Sequence, residues 1–248
     1  CIINGADDFI TKPFNGTLLK ARVGASLEKK RLRDSEENYL DRVETDKKRS
    51  QQILKTVMPT SVANELQSSG KVRSRRYDDV AIFICDLVGF TSFCEKNNPE
   101  LVVETLQGII ESFENTFEDF GLEKIKTVGD AIVAVAGLSS HATSPIKSCV
   151  DCAYKIREVA NSATIPWDLH IGIHSGSLVA GTVGTKTVQF DILGKNVNIA
   201  FNICDKSDAN QILISSDAWM TARNEIKVKS IGLKRLKSGQ DIEILECI

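Results

Sequence analysis

Val80-Ala81-Ile82-Phe83-Ile84-Cys85-Asp86-Leu87-Val88-Gly89 is the stretch on which the fold turns. A run of strand length that is apolar at every position, rather than at alternate ones, reads as a strand buried on both faces. Asp86 ends it abruptly and Gly89 marks a turn. Downstream, Asn98 and Pro99 supply an N-cap and first helical residue for a helix to about Phe120. Glu123–Val128 and Ala131–Ala136 read as strands separated only by Gly129-Asp130, a tight-hairpin signal. A second helix covers about Pro145–Ser162, and a strand over Asp168–Ser175 runs into a glycine-rich hairpin through Gly176, Gly181 and Gly184. Another helix is expected near Gly194, with short strands at Ile212–Ser215 and Asp241–Cys247. This order predicts an α+β sheet with helices on one face.

Upstream, Asn15 to about Val57 is polar and charge-alternating, with no proline and two glycines, the composition of a long exposed helix. A 3,4 spacing through Tyr39, Val43, Ile53 and Val57 gives a seam into which Asp46 and Ser50 also fall, so a coiled coil there is marginal or switchable. Met58-Pro59 breaks the helix. A second amphipathic piece, with Val62, Ala63 and Leu66, ends at Ser68-Ser69-Gly70, and a globular domain begins near Tyr77.

The 248 residues carry 42% hydrophobic and 26% charged side chains, enough to bury a substantial core and too many apolar residues for a disordered chain. No apolar run approaches the roughly 20 residues of a membrane span, so the chain reads as soluble. Its net charge of -2 conceals a split: residues 1–76 hold 16 basic and 10 acidic side chains, and residues 77–248 hold 15 and 23. The basic clusters Lys29-Lys30-Arg31 and Lys47-Lys48-Arg49 alternate with acidic residues, which favours a solvated helix face over a nucleic-acid patch. Seven scattered cysteines without a signal peptide point to a reducing, cytoplasmic setting. Cys149 and Cys152 form a C-x-x-C inside a helical pattern with no second pair, which favours buried helix cysteines over a metal site. The chain opens on Cys1 rather than Met, as a piece of a longer protein would.

Asp86, at the mouth of a buried strand, and Asp130, in a two-residue turn between strands that pair beside it, could reach one point. Two such carboxylates suit Mg²⁺ or Mn²⁺ and phosphoryl chemistry, although each alone also reads as an ordinary turn residue.

The segments IFICDLVGFTSF, EKIKTVGDAIVAVAGL, GIHSGSLVAGTVG and FDILGKNVNIA resemble, in order, the signatures of class III adenylate and guanylate cyclases. The resemblance covers most of residues 77–248 and implies a ferredoxin-like βαββαβ domain within the α+β class. It implies further that Asp86 and Asp130, with the Leu87 carbonyl, bind two ions of Mg²⁺ or Mn²⁺, and that the Gly89-Phe90-Thr91 backbone holds a triphosphate. Lys126 and Asp191 match the purine-reading pair. A lysine donates to adenine N1 and an aspartate accepts from its 6-amino group, whereas guanylate cyclases resemble a Glu and Cys pair there, so ATP is the expected substrate. Asn198 matches the residue that orients the ribose. Lys237 resembles, more loosely, a lysine on the terminal phosphates. His174 belongs to a hairpin in the resemblance and is expected to pack. The metal aspartates and the base readers of this family come from different protomers, which implies a homodimer with composite sites and a parallel coiled coil ahead of it.

One position departs from the pattern. The family continues from Asn-x-Ala-x to an arginine at the transferring phosphorus, whereas this chain has Asn202. A loss on the order of 10²–10³ in turnover would follow by analogy with an oxyanion donor, unless another cation substitutes. A weak or silent nucleotide-binding module and a guanylate cyclase are therefore the alternatives to an adenylate cyclase. At the front, Gly5-Ala-Asp-Asp-Phe-Ile-Thr-Lys12-Pro13-Phe14 resembles the last strand and Lys-Pro turn of a response-regulator receiver, and ILKTVMPTSVANEL a cyclase transducer. The division expected is residues 1–27 as a receiver remnant, 28–76 as coiled coil and transducer, and 77–248 as the cyclase domain, with a histidine kinase acting on an upstream receiver part.

Overall fold

The computed structural model describes residues 12–13, 15–138, 144–184 and 187–248. The chain divides into two units, Cys1–Val57 and Met58–Ile248. In the first, α1 (Gly16–Val57) is a single helix of 42 residues, running through Leu27 without interruption. The Asn15 side-chain oxygen accepts from the Thr17 and Leu18 N–H groups at 3.0 and 3.2 Å, so the helix starts where its cap residue predicts. Exposed charges one turn apart support it, as Glu44 and Lys48 do at 2.8 Å. Tyr39, Val43 and Ile53 of the expected seam stand exposed along it. The strand expected within residues 5–11 lies outside the described residues.

The second unit opens with α2 (Thr60–Ser69), stopped by Gly70 in the left-handed region with its N–H on the Leu66 carbonyl. Then follow β1 (Arg75–Leu87), α3 (Phe90–Lys96), α4 (Pro99–Asp119), β2 (Leu122–Val128), β3 (Ala131–Ala136), α5 (Pro145–Ser162), β4 (Leu169–Val183), β5 (Gln189–Leu193), α6 (Lys195–Cys204), β6 (Ile212–Ser215), α7 (Ser216–Thr221), β7 (Val228–Arg235) and β8 (Asp241–Cys247). The sheet order is β2-β3-β1-β4-β6-β8-β7, with β5 paired to β4 off that path. β1 lies antiparallel between β3 and β4, so its first four strands and the helices between them form the expected ferredoxin-like βαββαβ core of an α+β domain.

The expectation of helices on one face is corrected. Ala81, Phe83 and Cys85 of β1 enter a core cluster with α4 and α5, while Val80, Ile82 and Ile84 enter another with Val62 of α2 and with Val197, Ala200 and Cys204 of α6. A strand apolar at every position needs cover on both faces, and the chain supplies it. α6 lies so close to β4 that a Cβ on Gly172 would sit 2.4 Å from the Cys204 nitrogen and 2.7 Å from its Cα.

The glycine-rich hairpin is corrected as well. β4 runs straight through Gly176 and Gly181. A Cβ at Gly176 would meet the Asn196 side chain at 2.4 Å and one at Gly181 the Ser74 hydroxyl at 2.5 Å, so these glycines permit close approach within a strand. The turn lies beyond Val183. Three further elements are α3, α7 and the edge strand β7, all too short or too polar to show a period.

Candidate active site

The β1 terminus and the β2–β3 hairpin build the acidic end of the site. Cys85 is the Cα partner of Ile132, which puts Asp130, two residues earlier in the hairpin, beside Asp86. Gly129 takes the left-handed φ of 65° that this tight turn requires. Asp86 is pushed up to about 6, first by burial and then by the charge of Asp130; His170 acts in the opposite direction. Leu87 and Gly89 follow directly, Gly89 at φ 78°.

The turn after Asp86 is held from behind. The Val88 N–H donates to the Asp168 carbonyl at 2.9 Å. Phe90 stacks on Phe93 with 6.3 Å between centroids, and both rings pack on Trp167, at 5.8 and 5.1 Å. Asn210 pairs with the start of β4, its N–H to the Leu169 carbonyl at 2.7 Å and its side-chain oxygen accepting the Leu169 N–H at 3.2 Å. The backbone around Gly89, Phe90 and Thr91 is therefore fixed by apolar packing and main-chain bonds, leaving Thr91 exposed.

Lys126 of β2 and Asp191 of β5, 65 positions apart, meet as an ion pair at 2.8 Å. Their side chains are only 23% and 20% exposed, so the pair is more strongly coupled than a surface pair would be. Asp191 also accepts the Ile192 N–H at 2.8 Å, which fixes the carboxylate.

α6 presents Asn198, exposed, and Asn202 one turn later, whose side-chain N–H donates to the Asn198 carbonyl at 2.7 Å. The Asn202 oxygen accepts the Lys237 N–H at 2.9 Å. The Lys237 ammonium pairs with Asp205, the C-cap of α6. The residues singled out in the sequence thus form three groups: Asp86 with Asp130 and the Gly89 turn, Lys126 with Asp191, and Asn198 with Lys237 through Asn202.

Sequence reasoning missed His170. It is the cross-strand partner of Asp86, and its Nδ1 is buried with no hydrogen-bond partner among the described residues. Only the β1–β4 register reveals it. His174, by contrast, packs as expected: it is 3% exposed, with Nδ1 2.7 Å from the Ser215 hydroxyl and Nε2 3.4 Å from Asn196 Oδ1, and burial lowers its pKa. Cys149 and Cys152 are buried free thiols of α5, as the helical pattern predicted, and burial above all pushes their pKa up.

Whether a divalent cation fits turns on the donor set. Two adjacent carboxylates at a strand end are hard oxygen ligands, and their mutual repulsion is what a cation between them would relieve. Among the described residues no group of three or more His, Cys, Asp or Glu side chains could hold a metal. A cation bound here would complete its shell with a main-chain oxygen such as that of Leu87, water and phosphate oxygens, the habit of Mg²⁺ rather than of a structural metal.

The model of the Adenylate and Guanylate cyclase catalytic domain matches residues 72–244. Soluble guanylate cyclase gcy-31 of Caenorhabditis elegans is 30% identical over 225 residues, covering 88% of this chain and 31% of that protein. The chain thus spans about a third of that relative's length. The guanylate cyclase domain of RhGC from Catenaria anguillulae, solved with GTP, superposes with a TM-score of 0.68 at 21% identity over 70% of this chain and 98% of that one. The adenylyl cyclase CyaB from P. aeruginosa gives 0.65 at 21% over 71% and 96%. Both structures speak for the fold.

Proposed function

The chain belongs to the adenylate and guanylate cyclase catalytic domain family, and we propose that it converts ATP to 3′,5′-cyclic AMP and pyrophosphate. The observation that carries the substrate choice is the half-buried Lys126–Asp191 ion pair. Opened around a purine, the ammonium donates to adenine N1 and the carboxylate accepts from the 6-amino group, whereas guanine offers a donor at N1 and an acceptor at O6.

Asp86, Asp130 and the Leu87 carbonyl would hold two ions of Mg²⁺ or Mn²⁺. When bound, these supply a lowered proton affinity at the ribose 3′-hydroxyl and neutralise the β- and γ-phosphates. The backbone of Gly89, Phe90 and Thr91 cradles the triphosphate, Asn198 orients the ribose and Lys237 meets the terminal phosphates. The 3′-oxygen, its proton passing to solvent water, attacks the α-phosphorus as the bond to the α–β bridging oxygen breaks, and pyrophosphate leaves. Base readers and metal carboxylates act across a homodimer, with residues 28–76 as coiled coil and transducer, their α1 part pairing in parallel. Residues 1–27 are the tail of a receiver whose upstream part is addressed by a histidine kinase.

A second reading, guanylate cyclase, draws support from the gcy-31 likeness. Release of pyrophosphate from ATP with Mn²⁺ tests the catalytic reading: Asp86→Asn and Asp130→Asn should each lower it by about 10² or more, and unchanged release would overturn the assignment.

A further inference from the structure

The tip of the β7–β8 hairpin, residues 236–240, is seated on α6. Leu236 is 4% exposed and shares a core cluster with Ile199 and Ile203 of α6. The tip closes on itself through the Leu236 N–H to the Gln240 carbonyl at 2.8 Å and the Gly239 N–H to the Leu236 carbonyl at 2.9 Å. This plug and the β7–β8 ladder, paired up to Arg235↔Asp241, set where the tip sits. Asn202 adds a polar tie from the tip to α6, because its amide is used at both ends, donating to Asn198 on its own helix and accepting from the Lys237 N–H. The Lys237 side chain, 78% exposed, then pairs with Asp205 of the α6 C-cap.

We propose that Asn202 is a positioning residue: it orients the hairpin tip so that the Lys237 ammonium leaves Asp205 and meets the terminal phosphates of a bound nucleoside triphosphate. This rests on the reading of α6 and Lys237 as part of a nucleotide site. The chemistry of the amide is specific to the task. Arginine has donors and no acceptor, so it could not take the Lys237 N–H, whereas asparagine offers both. The residue that departs from the family pattern is thus matched to the hairpin beside it, and position 202 contributes by placing a cation rather than carrying one. An exposed pair such as Lys237–Asp205 is weak in water, so a multiply charged anion can draw the ammonium away.

Calorimetric titration of the full chain with pyrophosphate and Mn²⁺, and separately with adenosine, tests this. Asn202→Ala should weaken pyrophosphate binding about tenfold, the loss of one charge-assisted contact. Lys237→Ala should weaken it equally, and the double variant should be no weaker than either single one, because both remove the same contact. Adenosine binding should be unchanged in all three. Wild-type protein that binds neither pyrophosphate nor ATP overturns the nucleotide site and the inference together. Wild-type binding with an unaltered Asn202→Ala, or with additive losses in the double variant, overturns the inference alone. Lys237→Ala changes only an exposed side chain and folds irrespective of Asn202, so undiminished pyrophosphate binding in it overturns the inference by itself.

Discussion

Burial, and after it the charge of Asp130, raises the pKa of Asp86, and that costs the fold stability at neutral pH. The Asp86 carboxyl holds its proton to about 6 in the folded chain against 3.8 ordinarily. Between those values the folded state binds a proton that the unfolded state does not, so this group's contribution to stability grows as pH falls through that window. In chelator, Asp86→Asn should therefore melt higher than wild type at about pH 7.5, with the gap narrowing by about pH 5. Mn²⁺ should raise the melting temperature of wild type but not of the variant; equal shifts in both would place the cation elsewhere. Lys126 and Asp191 yield a prediction about choice. Lys126→Glu with Asp191→Cys should move the GTP-to-ATP rate ratio toward GTP by about 10², two hydrogen bonds having changed sense, and an unchanged ratio would show that this pair does not read the base. Both carboxylates and the ion pair were legible in the sequence through motif resemblance. His170 and Asp205 were not, since the first acquires its meaning from the register Asp86↔His170 and the second from a hairpin tip folded back across 32 positions.

At the scale of elements, β1 is the axis and α6 the part most sensitive to it. Gly172→Ala would drive a methyl into the Cys204 backbone, which cannot swing aside as a side chain could. It should cost about 1–3 kcal/mol of stability in denaturant titrations and lower activity further by displacing Asn198. A variant as stable and as active as wild type would mean that α6 is free to shift. The β1 core Val80–Cys85 and β3 were legible because their apolar runs are continuous, and β2, which mixes Glu123, Lys124 and Lys126 among its apolar residues, because only Gly129-Asp130 separates it from β3. β7 was not: its exposed Lys229, Lys234 and Arg235 suit a sheet edge and hide any alternation. Gly176 and Gly181 were misread as turn residues, because glycine for close approach and glycine for turning look alike until the neighbouring side chains are placed.

For the whole molecule, the charge split separates two kinds of work. α1 carries exposed clusters of both signs such as Lys29-Lys30-Arg31 and Lys47-Lys48-Arg49, while the second unit is acidic; under the proposed function that unit accepts a highly anionic triphosphate, which would make cations at Asp86 and Asp130 necessary. If the sites are composite, an Asp86→Ala chain and a Lys126→Ala chain, each inactive alone, should regain about a quarter of wild-type activity when mixed, since random pairing leaves half the dimers with one of two sites intact. No recovery would exclude sharing. The central claim is that this chain cyclises ATP in preference to GTP, and chromatographic analysis of products from equimolar ATP, GTP, CTP and UTP, with Mg²⁺ and Mn²⁺ in parallel, tests it most directly. The account predicts 3′,5′-cyclic AMP and pyrophosphate as the main products with either ion; cyclic GMP in excess, or no cyclic nucleotide at all, would contradict it.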